Sequence, residues 1–72
     1  MKFETKEEEG VFEAVNELPQ NYRTVIYLFY YEGYKTKEIG ELLKKSEGTI
    51  KTWLFRARTE LKEKLEGGFG DE

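Results

Sequence analysis

The sequence predicts an all-α fold, a four-helix domain with a C-terminal helix-turn-helix. Three observations predict it. From Ser46 to Leu65 the residues Ile50, Leu54, Ala57, Leu61 and Leu65 recur at spacings of four, three, four and four, which is one stripe of a long helix. Ahead of that stretch, Leu18-Pro19, Glu32-Gly33 and Lys44-Lys45-Ser46 divide the chain into three further segments of helical length. The composition, 38% apolar and 38% charged with one proline in 72 residues, suits a small soluble helical domain rather than a disordered chain.

At this length one hydrophobic core is near its lower limit, and no cysteine or histidine is present to add a disulfide or a thiolate or imidazole metal site. Packing alone must therefore hold the fold. No apolar run approaches a membrane span, and the start MKFETKEEEG lacks the apolar core of a signal peptide, so a cytoplasmic location is expected.

In chain order, residues 1–9 read as an acidic arm that frays, although Glu7, Glu8 and Glu9 also suit the first turn of a helix. The ordered domain is expected over 10–66. Its first helix carries Val11, Phe12, Val15 and Leu18 on one face and stops before Pro19, because a residue preceding proline is pushed out of the helical region. The second runs from Pro19 or Gln20 to Tyr31, with a core stripe of Tyr22, Val25, Ile26 and Phe29. VIYLFYY is rich in strand-favouring residues, but no second such run exists to pair with it. Tyr27, Leu28, Tyr30 and Tyr31 exceed what one stripe can bury. They are either partly covered by the first helix or form an exposed patch for a protein partner.

Gly33 can take the left-handed conformation that closes the second helix. A short third helix follows, with Thr36 as N-cap, Lys37 to Leu43 as its body and Ile39, Leu42 and Leu43 facing inward. Gly40 in its middle costs about 1 kcal/mol relative to alanine, and close approach of two helices, whose backbones can cross tightly where a side chain is missing, is the expected reason. Lys44 and Lys45 make the turn and Ser46 caps the fourth helix. Its ordered part should end near Leu65, leaving 67–72 as a glycine-rich acidic tail.

Opposite the leucine stripe the fourth helix carries Lys51, Thr52, Phe55, Arg56 and Thr59. These side chains can bond guanine edges and phosphates and touch a thymine methyl, so the face fits a DNA major groove; an ordinary amphipathic surface is the alternative. The net charge of −3 argues against a nucleic-acid partner, but its distribution does not. Residues 1–18 sum to −4, 19–43 to zero, 44–64 to +4 and the tail to −3. A phosphate responds to charge within roughly a Debye length, about 10 Å at ordinary salt, and so to the local patch. Complementing the helix dipole is the other use for Lys62 and Lys64.

The run ELPQNYRTVIYLFYYEGYKTKEIGELLKKSEGTIKTWLFRARTELKEKL resembles region 4 of bacterial sigma factors, particularly the extracytoplasmic-function (ECF) group. The marks are Leu18-Pro19 followed by Tyr22-Arg23 and an apolar run, then Glu32-Gly33, Lys37-Glu38-Ile39-Gly40, Ser46-Glu47-Gly48-Thr49-Ile50-Lys51, and Arg56-Ala57-Arg58 with Leu61. Singly they are weak; in this order and spacing, over roughly residues 11 to 66, they are specific.

The resemblance implies recognition of the promoter element near −35, with the fourth helix in the major groove. It assigns base contacts to Lys51, Thr52, Phe55 and Arg56. It assigns DNA-backbone contacts to Tyr34, Lys35, Thr36, Lys37, Lys45, Ser46, Thr49 and Arg58. It further implies docking on the β flap of the polymerase core, and a possible anti-sigma factor, through Phe12, Val15, Tyr27, Leu28 and Tyr31. Trp53 stands where the family often has a basic or small residue, and Lys51 where it often has arginine, a point charge in place of a planar fork. No cofactor, metal, small-molecule substrate or membrane partner is implied.

A response-regulator DNA-binding domain has a similar turn, but the Leu-Pro-Gln-Asn-Tyr-Arg start and the Phe-Arg-Ala-Arg continuation favour the sigma factor. A protein-interaction module that binds polymerase or an anti-sigma factor without DNA is a third reading. An enzyme is not expected, since the carboxylates fall on outward faces with no histidine, cysteine or phosphate loop beside them. Nothing in the sequence resembles the −10-binding region of a complete sigma factor, so either one domain of a longer protein or a stand-alone relative is expected.

Overall fold

The computed structural model describes the backbone of residues 6–70 and the side chains of residues 10–66. The elements are α1 (Lys6–Asn16), α2 (Gln20–Ile26), a π-helical turn (Tyr27–Tyr31), α3 (Thr36–Leu43) and α4 (Glu47–Gly70), with no strand among the described residues. A helix of 24 residues is about 36 Å long, so α4 sets the 40 Å long axis of the molecule. The other helices pack along it.

One core joins every helix. Val15 and Leu18 from the α1 end, Val25 and Ile26 of α2, Ile39 of α3, and Ile50, Leu54 and Ala57 of α4 are each exposed by 2% or less. A buried Val, Leu or Ile contributes about 1.5–3 kcal/mol, whereas an exposed ion pair such as Lys64–Glu17 (3.6 Å) contributes at most about 1 kcal/mol. The aliphatic seam therefore carries the stability. Val11, Tyr22, Phe29, Leu43, Trp53 and Leu61 pack partly against it.

The chain turns between α1 and α2 through two short bonds, Glu17 N–H to Ala14 O (3.1 Å) and Leu18 N–H to Val15 O (3.0 Å). Pro19 then precedes the first residue of α2. Arg23 Nη1 donates to the Asn16 carbonyl (3.1 Å), satisfying an acceptor that the helix end leaves open, and the Tyr27 hydroxyl donates to Asn16 Oδ1.

Several expectations are corrected. The second helix is α-helical only to Ile26. Beyond it Glu32 N–H bonds Tyr27 O (3.0 Å), the i→i+5 bond of a π turn, and Tyr34 N–H bonds Leu28 O (2.9 Å) around Gly33 at φ 83°. Tyr27 lies edge-on against Tyr31 at 5.2 Å. Phe12 of α1 lies beside Tyr27 at 6.5 Å. Tyr27, Leu28 and Tyr31 are thus half-buried, with Tyr30 at 44% exposure facing out.

Leu42 is 54% exposed rather than inward. On an eight-residue helix the buried strip runs through Thr36, Ile39, Gly40 and Leu43, and Leu42 falls off its edge. Nor is Thr36 the N-cap of α3. Lys35 holds that position, and its N–H bonds Glu38 Oε1 (2.8 Å), as in the reciprocal half of a capping box. The acidic arm and glycine-rich tail lie outside the described residues at 1–5 and 71–72. At 6–9 and 67–70 the backbone is helical rather than frayed, because extending an existing helix is far easier than starting one.

Gly40 has the close neighbour its sequence position suggested, but that neighbour is the turn rather than a crossing helix. A Cβ there would lie 2.6 Å from the carbonyl oxygen of Lys45. Lys44 passes through the left-handed region (φ 61°), and Lys45 N–H returns to Gly40 O at 2.8 Å. In an ordinary helix interior Gly40→Ala would add about 1 kcal/mol; here it is expected to cost about 1–3 kcal/mol, while Lys44→Gly gains about 1 kcal/mol by removing a left-handed side chain. Urea unfolding followed by circular dichroism measures both, and a stabilising Gly40→Ala would contradict the packing described.

Candidate nucleic-acid interface

The turn delivers α4 with its first donors organised. Ser46 Oγ accepts from Thr49 N–H (3.1 Å) and donates to Thr49 Oγ1 (3.0 Å), so Ser46 caps the helix as its sequence position implies. With Ile50, Leu54 and Ala57 locked in the core, the rotation of α4 about its axis is fixed. Lys51, Thr52, Phe55 and Arg56 then all face solvent. Phe55 is 66% exposed, the most of any large apolar side chain among the described residues. Thr59 Oγ1 donates back to Phe55 O (3.0 Å), which turns its hydroxyl toward the helix.

Around this face Tyr34 (40% exposed), Lys35 and Lys37 stand at the entry to α3, and Lys45 and Ser46 at the turn, all exposed. Thr36 and Thr49 are half-buried, and the Thr36 hydroxyl donates to Glu47 Oε2 at 2.7 Å. Arg58 is exposed but engaged elsewhere: its Nη1 donates to the Tyr30 hydroxyl (2.8 Å), drawing it toward the π turn. Farther along α4, Glu60 and Glu63 join Tyr22, Phe55, Arg56 and Thr59 in lining a shallow cleft. Those carboxylates confine the cationic surface to the first turns of α4.

The residues assigned to protein docking divide. Phe12 is 38% exposed and Tyr27, Leu28 and Tyr31 are half-buried, but Val15 is 1% exposed and belongs to the core. As a core residue it is not the exposed contact that the resemblance implies, although it also lines the apolar groove beside α1. Burial pushes the Tyr31 phenol above its ordinary value, with Tyr27 adding to the effect. A groove of about 480 Å³ runs between α1, the π turn and the later part of α4, with Val11, Ile26, Tyr31, Leu61 and Leu65 among its walls and Arg58 and Lys62 beside them.

Sequence reasoning missed this groove and missed Glu47. The groove borders the π turn, which no sequence signal announced. Glu47 stands four residues before Lys51, and that spacing was available as a sign that the two meet. Among the described residues no helix is long and apolar enough to cross a membrane, and no cluster of acidic, histidine or cysteine side chains fits a metal ion.

Residues 9–61 match the family described as Sigma-70, region 4. The chain belongs to that family. It is a region 4 domain of the ECF type. It is 44% identical over 45 residues to the RNA polymerase sigma factor SigV of Bacillus subtilis, covering 62% of this chain and 27% of that protein. Against the ECF RNA polymerase sigma factor SigM of the same bacterium it is 40% identical over 58 residues, or 81% of this chain and 36% of SigM. Against the ECF RNA polymerase sigma factor SigW, also from that bacterium, it is 42% identical over 53 residues, or 74% and 28%. The matched region thus spans 27–36% of the length of these relatives. No solved structure matches the chain.

The region 4 domain owes its exposed face to the Ser46 cap as well as to the core. Ser46→Ala is expected to cost about 1 kcal/mol, read by thermal unfolding, and to raise the hydrogen-exchange rate of the Thr49 amide. An unchanged Thr49 amide would show that the cap contributes nothing.

Proposed function

We infer that this region 4 domain recognises the promoter −35 element by laying the first turns of α4 in the major groove. One observation carries the reading: Lys51, Thr52, Phe55 and Arg56 are exposed together on the side of α4 away from Ile50, Leu54 and Ala57. Arg56 and Lys51 supply donors for guanine O6 and N7, Thr52 a short hydrogen-bonding group, and Phe55 an apolar surface for a thymine methyl. Tyr34, Lys35, Thr36, Lys37 and Lys45 border the same surface and supply phosphate contacts, joined by the backbone donors of the first turn at Thr49. In this reading Arg58 reaches phosphate only by leaving Tyr30.

The opposite side, with Phe12, Tyr27, Leu28 and Tyr31, is the surface we assign to the β flap of RNA polymerase, and an anti-sigma factor would compete there. An apolar groove next to half-buried aromatics supports docking of a protein rather than of DNA. The two surfaces lie on different sides of α4, so one domain can hold promoter and polymerase at once. The family match favours this over the response-regulator reading, and the activity proposed is binding without catalysis, in the bacterial cytoplasm beside the chromosome.

Arg56→Ala is expected to cost about 1–3 kcal/mol in duplex binding and to relax preference at one base pair. Lys45→Ala should instead weaken all duplexes alike and lower the slope of log K against log salt by about one. Fluorescence anisotropy titrations at several salt concentrations separate the two. Identical behaviour of both variants would contradict the assigned roles.

A further inference from the structure

Glu47 is an acid placed among groups that bind an anionic polymer. It is the first residue of α4, and its Oε2 both accepts from the Thr36 hydroxyl (2.7 Å) and lies 3.8 Å from Lys51 Nζ. Both partners belong to the surface read above as the DNA face. The Glu47–Lys51 pair adds little stability, since the two side chains are 44% and 65% exposed, while the Thr36 bond ties the start of α4 to α3 and an acid in the first turn suits the helix dipole. Against duplex, its charge opposes every nearby phosphate.

Both contacts fall on Oε2, which fixes the side chain and leaves Oε1 able to accept another hydrogen bond. The N-terminal residues of a recognition helix are those that reach base edges. In the major groove the only donors are the amino groups of cytosine and adenine. Adenine sets the N7 acceptor beside its amino group, which opposes a carboxylate, whereas cytosine shows a donor alone. We propose that Glu47 is a specificity-determining residue of the domain, its Oε1 accepting from a cytosine N4 amino group while Thr36 and Lys51 hold the carboxylate in position.

The inference rests on the −35 reading and sharpens it. It also gives the Glu47–Lys51 pair a joint role, in which the carboxylate selects a donor edge and the ammonium one turn on selects an acceptor edge such as guanine. A phosphate-directed Lys51 would abandon Glu47 on binding; a base-directed Lys51 can stay beside it.

The test is selection of duplexes from a randomised library by the 72-residue chain and by Glu47→Gln and Glu47→Ala, each checked for folding by circular dichroism. The native chain is expected to enrich cytosine at one position by about tenfold over the other bases. Glu47→Ala should lose that preference there alone. Glu47→Gln, which can pair with adenine N6 and N7, should move it to adenine. The proposal is overturned if both variants enrich the same base as the native chain at every position. A native chain that enriches no motif overturns it too, and in that case the −35 reading falls with it, whereas variants matching a native motif sink the Glu47 assignment only.

Discussion

The close contact between Gly40 and the turn that follows it is the constraint on which the functional face depends. Because residue 40 has no side chain, the Lys45 carbonyl can pass where a Cβ would stand at 2.6 Å. Three further features make sense only with that approach: Lys44 in the left-handed region, Lys45 N–H bonded to Gly40 O, and Ser46 placed to cap α4. Together they fix how α4 leaves α3. The core seam of Ile50, Leu54 and Ala57 then fixes its rotation, and the polar and aromatic residues of the other side face solvent by exclusion.

From this constraint follows a division of the molecule into two surfaces. On one side of α4 the cations of α3, the turn and the first turns of α4 make a compact positive patch on an acidic chain, ended by Glu60 and Glu63. On the other, the rings of Tyr27 and Tyr31 meet edge to face in the π turn, with Phe12 of α1 beside Tyr27. An apolar groove lies beside them. Glu47 ties the start of α4 to α3 through Thr36, so the patch is one surface rather than two neighbouring ones.

Most of the fold was legible because its signals are local and redundant. The stripe of α4, Pro19, Gly33 and Ser46 each act within a few residues and kept their expected roles, while Gly40 has its close neighbour in the turn instead of a crossing helix. What was not legible depended on fit between elements. Leu42 faces out because it lies off the strip of α3 buried at Ile39 and Gly40, and Val15 belongs to the core cluster that joins the helices. The α-to-π change after Ile26 is encoded by no pairwise spacing. The outward residues of α4 were legible by elimination from the core stripe. The diversion of Arg58 to Tyr30 was not, since it spans 28 residues of chain.

The outward side of α4, held by the Gly40 turn, is where DNA is expected to bind. Backbone amide shifts of the isotope-labelled domain, followed as a duplex carrying a −35-like sequence is added, test this most directly. The perturbed amides should gather over 34–37 and 45–59 while those of α1 stay in place. Perturbations centred on α1 and the π turn, or shifts scattered evenly along the chain, would contradict it.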